Sequence, residues 1–182
     1  VVSPGATDPA RFVSMLDLFP TFCEVAGVDP GDVDGQSLVP ILQGGGEEPR
    51  DHVVTVFHET AAKGRYEMRC VQSARYGYIW NAWADGEAQY RAENMAGLTW
   101  AAMLEAAVTD PDVAARGEFY TRRRSEELYD LVADPSCLRN LSPDPGHQND
   151  LLDARNRLRE WMTQTEDPLA AEFDRQTKTE TP

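Results

Sequence analysis

The chain has 182 residues, 31 acidic and 17 basic side chains, and a formal net charge of -14. That balance excludes a phosphate-neutralising nucleic-acid face and docking on an anionic membrane, both of which need clustered cations. The 41% of apolar residues can build a core, yet no apolar run is long enough to span a bilayer as a helix. The length suits one domain, or one domain plus a piece of another. Three cysteines, Cys23, Cys70 and Cys137, are widely spaced and form neither a disulfide framework nor a C-x-x-C zinc pattern. They read as buried thiols. The chain opens on Val1-Val2-Ser3-Pro4-Gly5 without an initiator methionine or signal-peptide pattern, and so reads as a fragment of a longer protein.

In chain order, turn signals at Pro4-Gly5 and Asp8-Pro9 make residues 1–12 a loop. A helix is predicted over 14–27, with Leu18, Phe22 and Val25 at helical spacing and Gly27 as its stop. Pro20 is tolerated if Asp17 is the N-cap, because first-turn N–H groups lack intrahelical partners. Asp17→Ala would then cost about 1 kcal/mol. Residues 37–42 suggest one helical turn, and the Gly44-Gly45-Gly46-Glu47-Glu48-Pro49 stretch is the best internal boundary. The β-branched run 53–57 predicts a buried strand ending at His58-Glu59-Thr60. Residues 65–72 and 76–81 alternate and pair as a hairpin, with Tyr76, Tyr78 and Trp80 on one face.

A helix is predicted over 95–108 using Leu98, Ala101, Ala102 and Leu104, with a further helical piece from Pro111 to Arg116. Leu128 to Leu131 is a short strand. Asp134-Pro135 starts a turn that Asn140-Leu141 closes. An amphipathic helix over 150–165 follows, using Leu151, Leu158, Trp161 and Met162, and the polar tail beyond Pro168 is expected to be disordered. Short connections between strands favour antiparallel pairing. The predicted fold class is therefore α+β, a four-stranded antiparallel sheet with helices on one face, including the long C-terminal helix.

Four separate segments carry a family likeness. Val13-Ser14-Met15-Leu16-Asp17-Leu18-Phe19-Pro20-Thr21 resembles the sulfatase pattern V-S-x-x-D-L-x-P-T, and Asp34-Gly35-Gln36-Ser37-Leu38 the D-G-x-S-L that follows it, with Arg50 after a variable loop. Arg75-Tyr76-Gly77-Tyr78 is similar to an R-Y-K-Y hairpin strand. Glu127-Leu128-Tyr129-Asp130-Leu131, then Asp134-Pro135 and Asn140-Leu141, is similar to the family's E-L-Y-D-L, D-P, N-L tail. Within sulfatases of the alkaline-phosphatase superfamily, the heparan N-sulfatase (sulfamidase) type is most similar, through His58-Glu59, Met68-Arg69, Asn81 and Trp161-Met162 to Asp167-Pro168.

The resemblance implies that residues 1–49 are the last edge of a large α/β sulfatase domain, 50–168 its C-terminal subdomain, and 169–182 a disordered tail. It implies a formylglycine nucleophile and a calcium-type divalent cation in the full-length enzyme, where charge builds on sulfate oxygens. No cysteine or serine here begins C/S-x-P-x-R, so this chain is expected to carry no catalytic residue and no metal ligand, and to be inactive alone. The expected partners are the missing N-terminal sulfatase domain and a sulfated small molecule or saccharide, with a homo-oligomer compatible. His58 and Glu59 are the candidate substrate-binding residues, against the reading of an ordinary strand-end polar pair. Arg69 is expected in a buried salt bridge, Asp130 in a turn or against an arginine, and Arg122-Arg123-Arg124 as a solvated run paired with Glu126 and Glu127. His52 and His147 read as surface residues; Trp80, Trp100 and Trp161 as core, with Trp83 open as a sugar platform. Two rivals stand: a phosphonate or phosphate ester hydrolase of the same superfamily, and a non-catalytic binding or oligomerisation module.

Overall fold

The computed structural model describes residues 5, 7, 11–45 and 50–177. Much of the N-terminal loop, part of the Gly44–Pro49 boundary, and residues 178–182 of the tail lie outside the described residues. The chain divides into two compact units, Val1–Val53 and Val54–Pro182. The division falls inside the first strand, four residues beyond the boundary expected from the glycine run.

In the first unit, α1 (Leu18–Ala26) ends at Gly27, whose φ of 69° is the left-handed stop. A 3-10 turn over Met15–Asp17 precedes it. Asp17 does not cap α1 through its side chain. Ser14 is the cap of the 3-10 turn, accepting from the Leu16 N–H, and the Asp17 carboxylate reaches back to the Ser14 N–H at 2.7 Å, completing a capping box. The same carboxylate accepts the Gln36 N–H at 2.9 Å and both arms of the Arg50 guanidinium at 2.6 Å. Thr21 helps hold the returning chain, accepting from the Leu38 N–H at 2.8 Å.

Gly35 makes this approach possible. A Cβ there would lie 2.1 Å from the Leu16 carbonyl oxygen, so no side chain fits. Asp17-Leu18, the D-G-x-S-L segment and Arg50 are thus one knot. The single helical turn expected over 37–42 is present as α2 (Val39–Leu42).

The second unit is built on an antiparallel sheet of order β1-β2-β3-β4, formed by β1 (His52–Glu59), β2 (Arg65–Ser73), β3 (Tyr76–Asn81) and β4 (Glu126–Asp130). Arg69 pairs with Trp80 and Val71 with Tyr78; Tyr78 pairs with Leu128. Side chains alternate across strands, so Arg69, Val71, Tyr78, Trp80 and Leu128 share one face. That face receives Leu151, Ala154, Leu158 and Met162 of α5 (Gln148–Gln164), spaced by three and four. β1 is the exposed exception: Val56 is 47% accessible, where a buried strand was expected. It lies at the sheet edge, with no further strand beyond it among the described residues.

The tail is not disordered through 177. Ala170–Thr177 form α6, and Phe173 is 1% exposed. Its ring meets Trp80 edge-on at 5.1 Å, while the Trp80 indole N–H donates to Gln176 at 3.0 Å. One large apolar side chain in eight residues gives too little periodicity to read as a helix, yet it fills the core. Phe173→Ala is expected to lower stability by about 3–5 kcal/mol, read as a shift of the urea midpoint. No change would mean α6 is undocked in solution.

The turn after β4 is held by side chains. Asp130 pairs with Arg75 and accepts the Val132 and Ala133 N–H groups, as expected of a turn residue. Asp134 accepts from Leu138 and Arg139. Asn140 accepts from Leu128 and donates to the Glu126 carbonyl, fastening the returning chain to β4 at two points, and also accepts from Ser142 within the turn. Leu141, 6% exposed, enters the core beside it. Asn140→Ala leaves these groups unmet and is expected to cost about 1–3 kcal/mol; thermal melts of the variant measure it.

Between β3 and β4 the chain makes α3 (Leu98–Ala106) and α4 (Pro111–Thr121). Asp110 caps α4 through the Asp112 and Val113 N–H groups, with Pro111 at the first position, and the helix runs five residues past its expected end at Arg116. The expected inner residues of α3 are turned outward: Leu98 is 91% and Leu104 54% exposed. Trp100, Met103 and Ala107 are the better-covered side. Because α3 is mostly apolar, with Thr99 and Glu105 too far apart to mark one polar face, spacing could not phase it.

Candidate functional site

The candidate substrate residues end β1. Adjacent strand residues point to opposite faces, so His58 and Glu59 do not converge on one point. Both are exposed. Glu59 pairs with Lys63 at 2.7 Å across the turn. His58 lies near Glu67 and Asp167, contributing to the lowering of both carboxyls.

That neighbourhood is anchored by a buried ion pair. Arg69 is 1% exposed and its guanidinium meets the Asp167 carboxylate at 2.7 and 3.3 Å. Burial opposes ionisation of Asp167, but Arg69, the Leu169 N–H and, more weakly, His58 hold its carboxyl below the usual range. The expected buried salt bridge of Arg69 is therefore present, and its partner comes from the segment joining α5 to α6. Trp161-Met162 to Asp167-Pro168 is thus a structural signature that ties the last helices to the hairpin.

The opposite face carries a second buried carboxylate. Glu127 is 0% exposed and accepts from both arms of Arg123, from Asn81 at 2.8 Å and from the Tyr129 hydroxyl at 2.6 Å. The expected solvated arginine run is corrected in its middle member, since Arg123 is mostly buried against Glu127 and Phe119. Arg122 does lie on the surface, against Glu118. His147 is likewise not a free loop residue, as its Nδ1 meets Asp150 at 3.0 Å at the start of α5.

The turn beyond Glu59 is joined to the β3–β4 insertion. The Ala62 N–H donates to the Glu93 carboxylate at 3.0 Å, and the Tyr66 hydroxyl donates to the Gln89 carbonyl. Tyr66, Trp83 and Tyr90 pack ring against ring, with Tyr66 4.7 Å from Tyr90, and the series continues through Tyr120 to Trp100. Trp83, held open as a sugar platform, is part of this packing. The series was hidden from sequence reading because its rings sit on four different segments, β2, the loop after β3, α3 and α4.

Burial raises the Cys70 thiol to about 11, which disfavours a reactive thiolate. Among the described residues no group of three His, Cys, Asp or Glu side chains could hold a metal ion. With no C/S-x-P-x-R in the chain, these residues do not fit formylglycine or its cation.

No protein-family model matches the chain. Its sequence relatives include an ulvan-active sulfatase of Formosa agariphila, 30% identical over 156 residues, covering 82% of this chain and 28% of that protein. A Delta 4,5-hexuronate-2-O-sulfatase of Bacteroides thetaiotaomicron is 26% identical over 154 residues, covering 84% and 24%. Among solved structures, a 2-O GAG sulfatase superposes with a TM-score of 0.56 at 25% identity, over 90% of this chain and 26% of that one. The phosphonate monoester hydrolase of Agrobacterium radiobacter shares the fold, with a TM-score of 0.53 at 23% identity over 85% and 25%. The antiparallel sheet and its long helix are thus part of the architecture of alkaline-phosphatase-superfamily hydrolases. The chain is homologous to the sulfatases of that superfamily, and spans about a quarter of the length of the curated relatives it matches.

Proposed function

We propose that the chain is the C-terminal region of a sulfatase that hydrolyses sulfate esters or sulfamates of saccharides, and that it supports and helps recognise substrate without performing the chemistry. The observation that carries this reading is the homology to sulfatases over 82% of the chain, in a chain with no formylglycine motif. The saccharide class is supported by the printed names of the relatives, which concern ulvan and hexuronate sulfates. The likeness of His58-Glu59 and of the Asp167-Pro168 ending favours the sulfamidase type within that class.

In this reading a large sulfatase domain holds formylglycine and a calcium-type cation. It also covers apolar residues of the first unit, including Phe19, Phe22 and Val25, which are 57%, 65% and 74% exposed here. Against a free-standing module stands this bare helix face, which a soluble unit of its own would not present. The phosphonate hydrolase rival is supported by shared fold alone.

His58 is an exposed donor beside the Arg69–Asp167 pair, and in this reading it meets an anionic group of the substrate. Glu59 is tied, among the described residues, by an exposed ion pair to Lys63, worth about 0–1 kcal/mol, and can exchange Lys63 for a sugar hydroxyl or amine. In the full-length enzyme, His58→Ala is expected to raise KM for a sulfated saccharide several-fold, with an unchanged melting temperature. Unaltered kinetics would remove His58 from the site. Release of sulfate by purified residues 1–182 would overturn the assignment of the chemistry to another part of the protein.

A further inference from the structure

The β3–β4 insertion contains a pocket of about 430 Å³ between α3, α4 and the 3-10 turn Glu93–Ala96. Its size lies in the range of small-molecule sites, roughly 300–1,000 Å³. Trp100 and Tyr120, 5.6 Å apart, form an aromatic wall, and Met95 and Met103 add apolar surface. The polar groups on the lining have unused capacity. Asn94 donates to the Tyr120 hydroxyl at 2.7 Å, which leaves its carbonyl oxygen to accept and the Tyr120 O–H to donate. Arg116 lies over the Phe119 ring and, among the described residues, spends one N–H on the Cys137 carbonyl of the five donors of a guanidinium.

The charge of the lining runs against that of the chain. Overall there are 31 acidic against 17 basic residues, yet among the described residues lining the pocket Arg116 is the only charged one and none is a carboxylate. An anion is therefore favoured there on electrostatic grounds. Flat rings beside spare neutral donors and acceptors suit a ligand with apolar C–H faces and a fringe of hydroxyls. A purely apolar guest would strip water from Arg116 and Asn94 without replacing it.

The geometry points to a binding site for an anionic saccharide unit in this pocket, with a sulfate or carboxylate on Arg116 and the sugar face on Trp100 and Tyr120. Asn94 and Thr99 take the hydroxyls. The pocket is at the end of the sheet that also carries His58 and Glu59, because Glu93, beside Asn94, holds the Ala62 N–H of the β1–β2 turn. It would grip a sugar residue of an oligosaccharide outside the point of cleavage. The choice of a saccharide rests on the sulfatase reading; the preference for an anion rests on the lining itself.

The test is titration of residues 1–182 where circular dichroism shows them folded, and otherwise of the full-length protein, followed by tryptophan fluorescence and calorimetry. The probes are a sulfated disaccharide, a uronate-containing disaccharide without sulfate, a neutral disaccharide and nitrophenyl sulfate. Saturable binding of the sulfated or uronate disaccharide is expected, weakened about tenfold or more by Arg116→Gln, by Trp100→Leu, or by loss of the anionic group. The stronger of the two anionic disaccharides tells sulfate from carboxylate. Arg122→Gln, at an exposed pair with Glu118, should leave binding unchanged. Should circular dichroism show Arg116→Gln or Trp100→Leu to be unfolded, Asn94→Ala at the exposed rim decides. No saturable binding of either anionic disaccharide, equal affinity for the neutral one, tighter binding of nitrophenyl sulfate, or indifference to the pocket variants would overturn the site. Sulfate release by the full-length protein is read separately: release without binding here removes only this site, and binding here without release removes only the sulfatase reading.

Discussion

Arg69→Ala is expected to destabilise the unit spanning residues 54–182 by about 3–5 kcal/mol. The substitution strands the Asp167 carboxylate, whose side chain is 5% exposed, with no cation beside it. Against a typical domain stability of about 5–15 kcal/mol, this loss should be plain in the urea midpoint. Replacing both partners with apolar residues, Arg69→Met with Asp167→Leu, should recover much of it, because the buried charge itself is removed. The Asp167 carboxyl is held below its ordinary value of 3.8. Its contribution is therefore present above that pH and lost as acid protonates the folded carboxylate, and the Arg69→Ala variant should show a weaker acid dependence than the parent. An exposed, dispensable pair would give equal midpoints for all three proteins.

Asp17→Ala should be of similar size in the first unit, again about 3–5 kcal/mol, and not the 1 kcal/mol or so of a lost helix cap. The carboxylate is 1% exposed and serves the Ser14 and Gln36 N–H groups together with Arg50. Burial alone would raise its pKa, but the Arg50 guanidinium and the two N–H groups bring it down from 3.8 to about 2. A depressed carboxylate stabilises the fold above its unfolded value and loses that effect as the pH falls through the folded value. The acid unfolding of this unit should therefore fall between about pH 4 and pH 2, and hydrogen exchange at the Gln36 and Ser14 amides would follow it. Fast exchange of both amides at neutral pH in the parent would contradict the knot.

The contrast between these two sites shows what spacing can carry. Arg69 alternates into the apolar face of a clear hairpin, and a buried arginine demands a carboxylate, so its pairing was legible even though Asp167 was not identifiable as the partner. Asp17 precedes a helix, which looks like a cap in sequence. Its actual partners are 19 and 33 positions away, and only the close approach at Gly35 brings the chain back to it. The four-stranded antiparallel sheet followed from the strand signals and the short turns between them, while the pairing of β4 with β3 across the two-helix insertion had no signal in the spacing. The path of α3 did not follow either, since its two polar residues, Thr99 and Glu105, do not lie together on one face to orient it. Likewise α6 buries a single large apolar side chain, Phe173, too little to give a readable period. His58 and Glu59 stood out as polar residues at a strand end. The Arg116 pocket did not, because its lining is drawn from residues 94–103 and 116–120, which meet only when two helices fold together.

The most direct test of a support-and-recognition role is sulfate release from a panel of sulfated and N-sulfated saccharides, measured side by side for purified residues 1–182 and for the full-length gene product. The expected result is release by the full-length protein and none by residues 1–182 at any concentration. Turnover by residues 1–182, or a full-length protein inert on every sulfated saccharide, would contradict it.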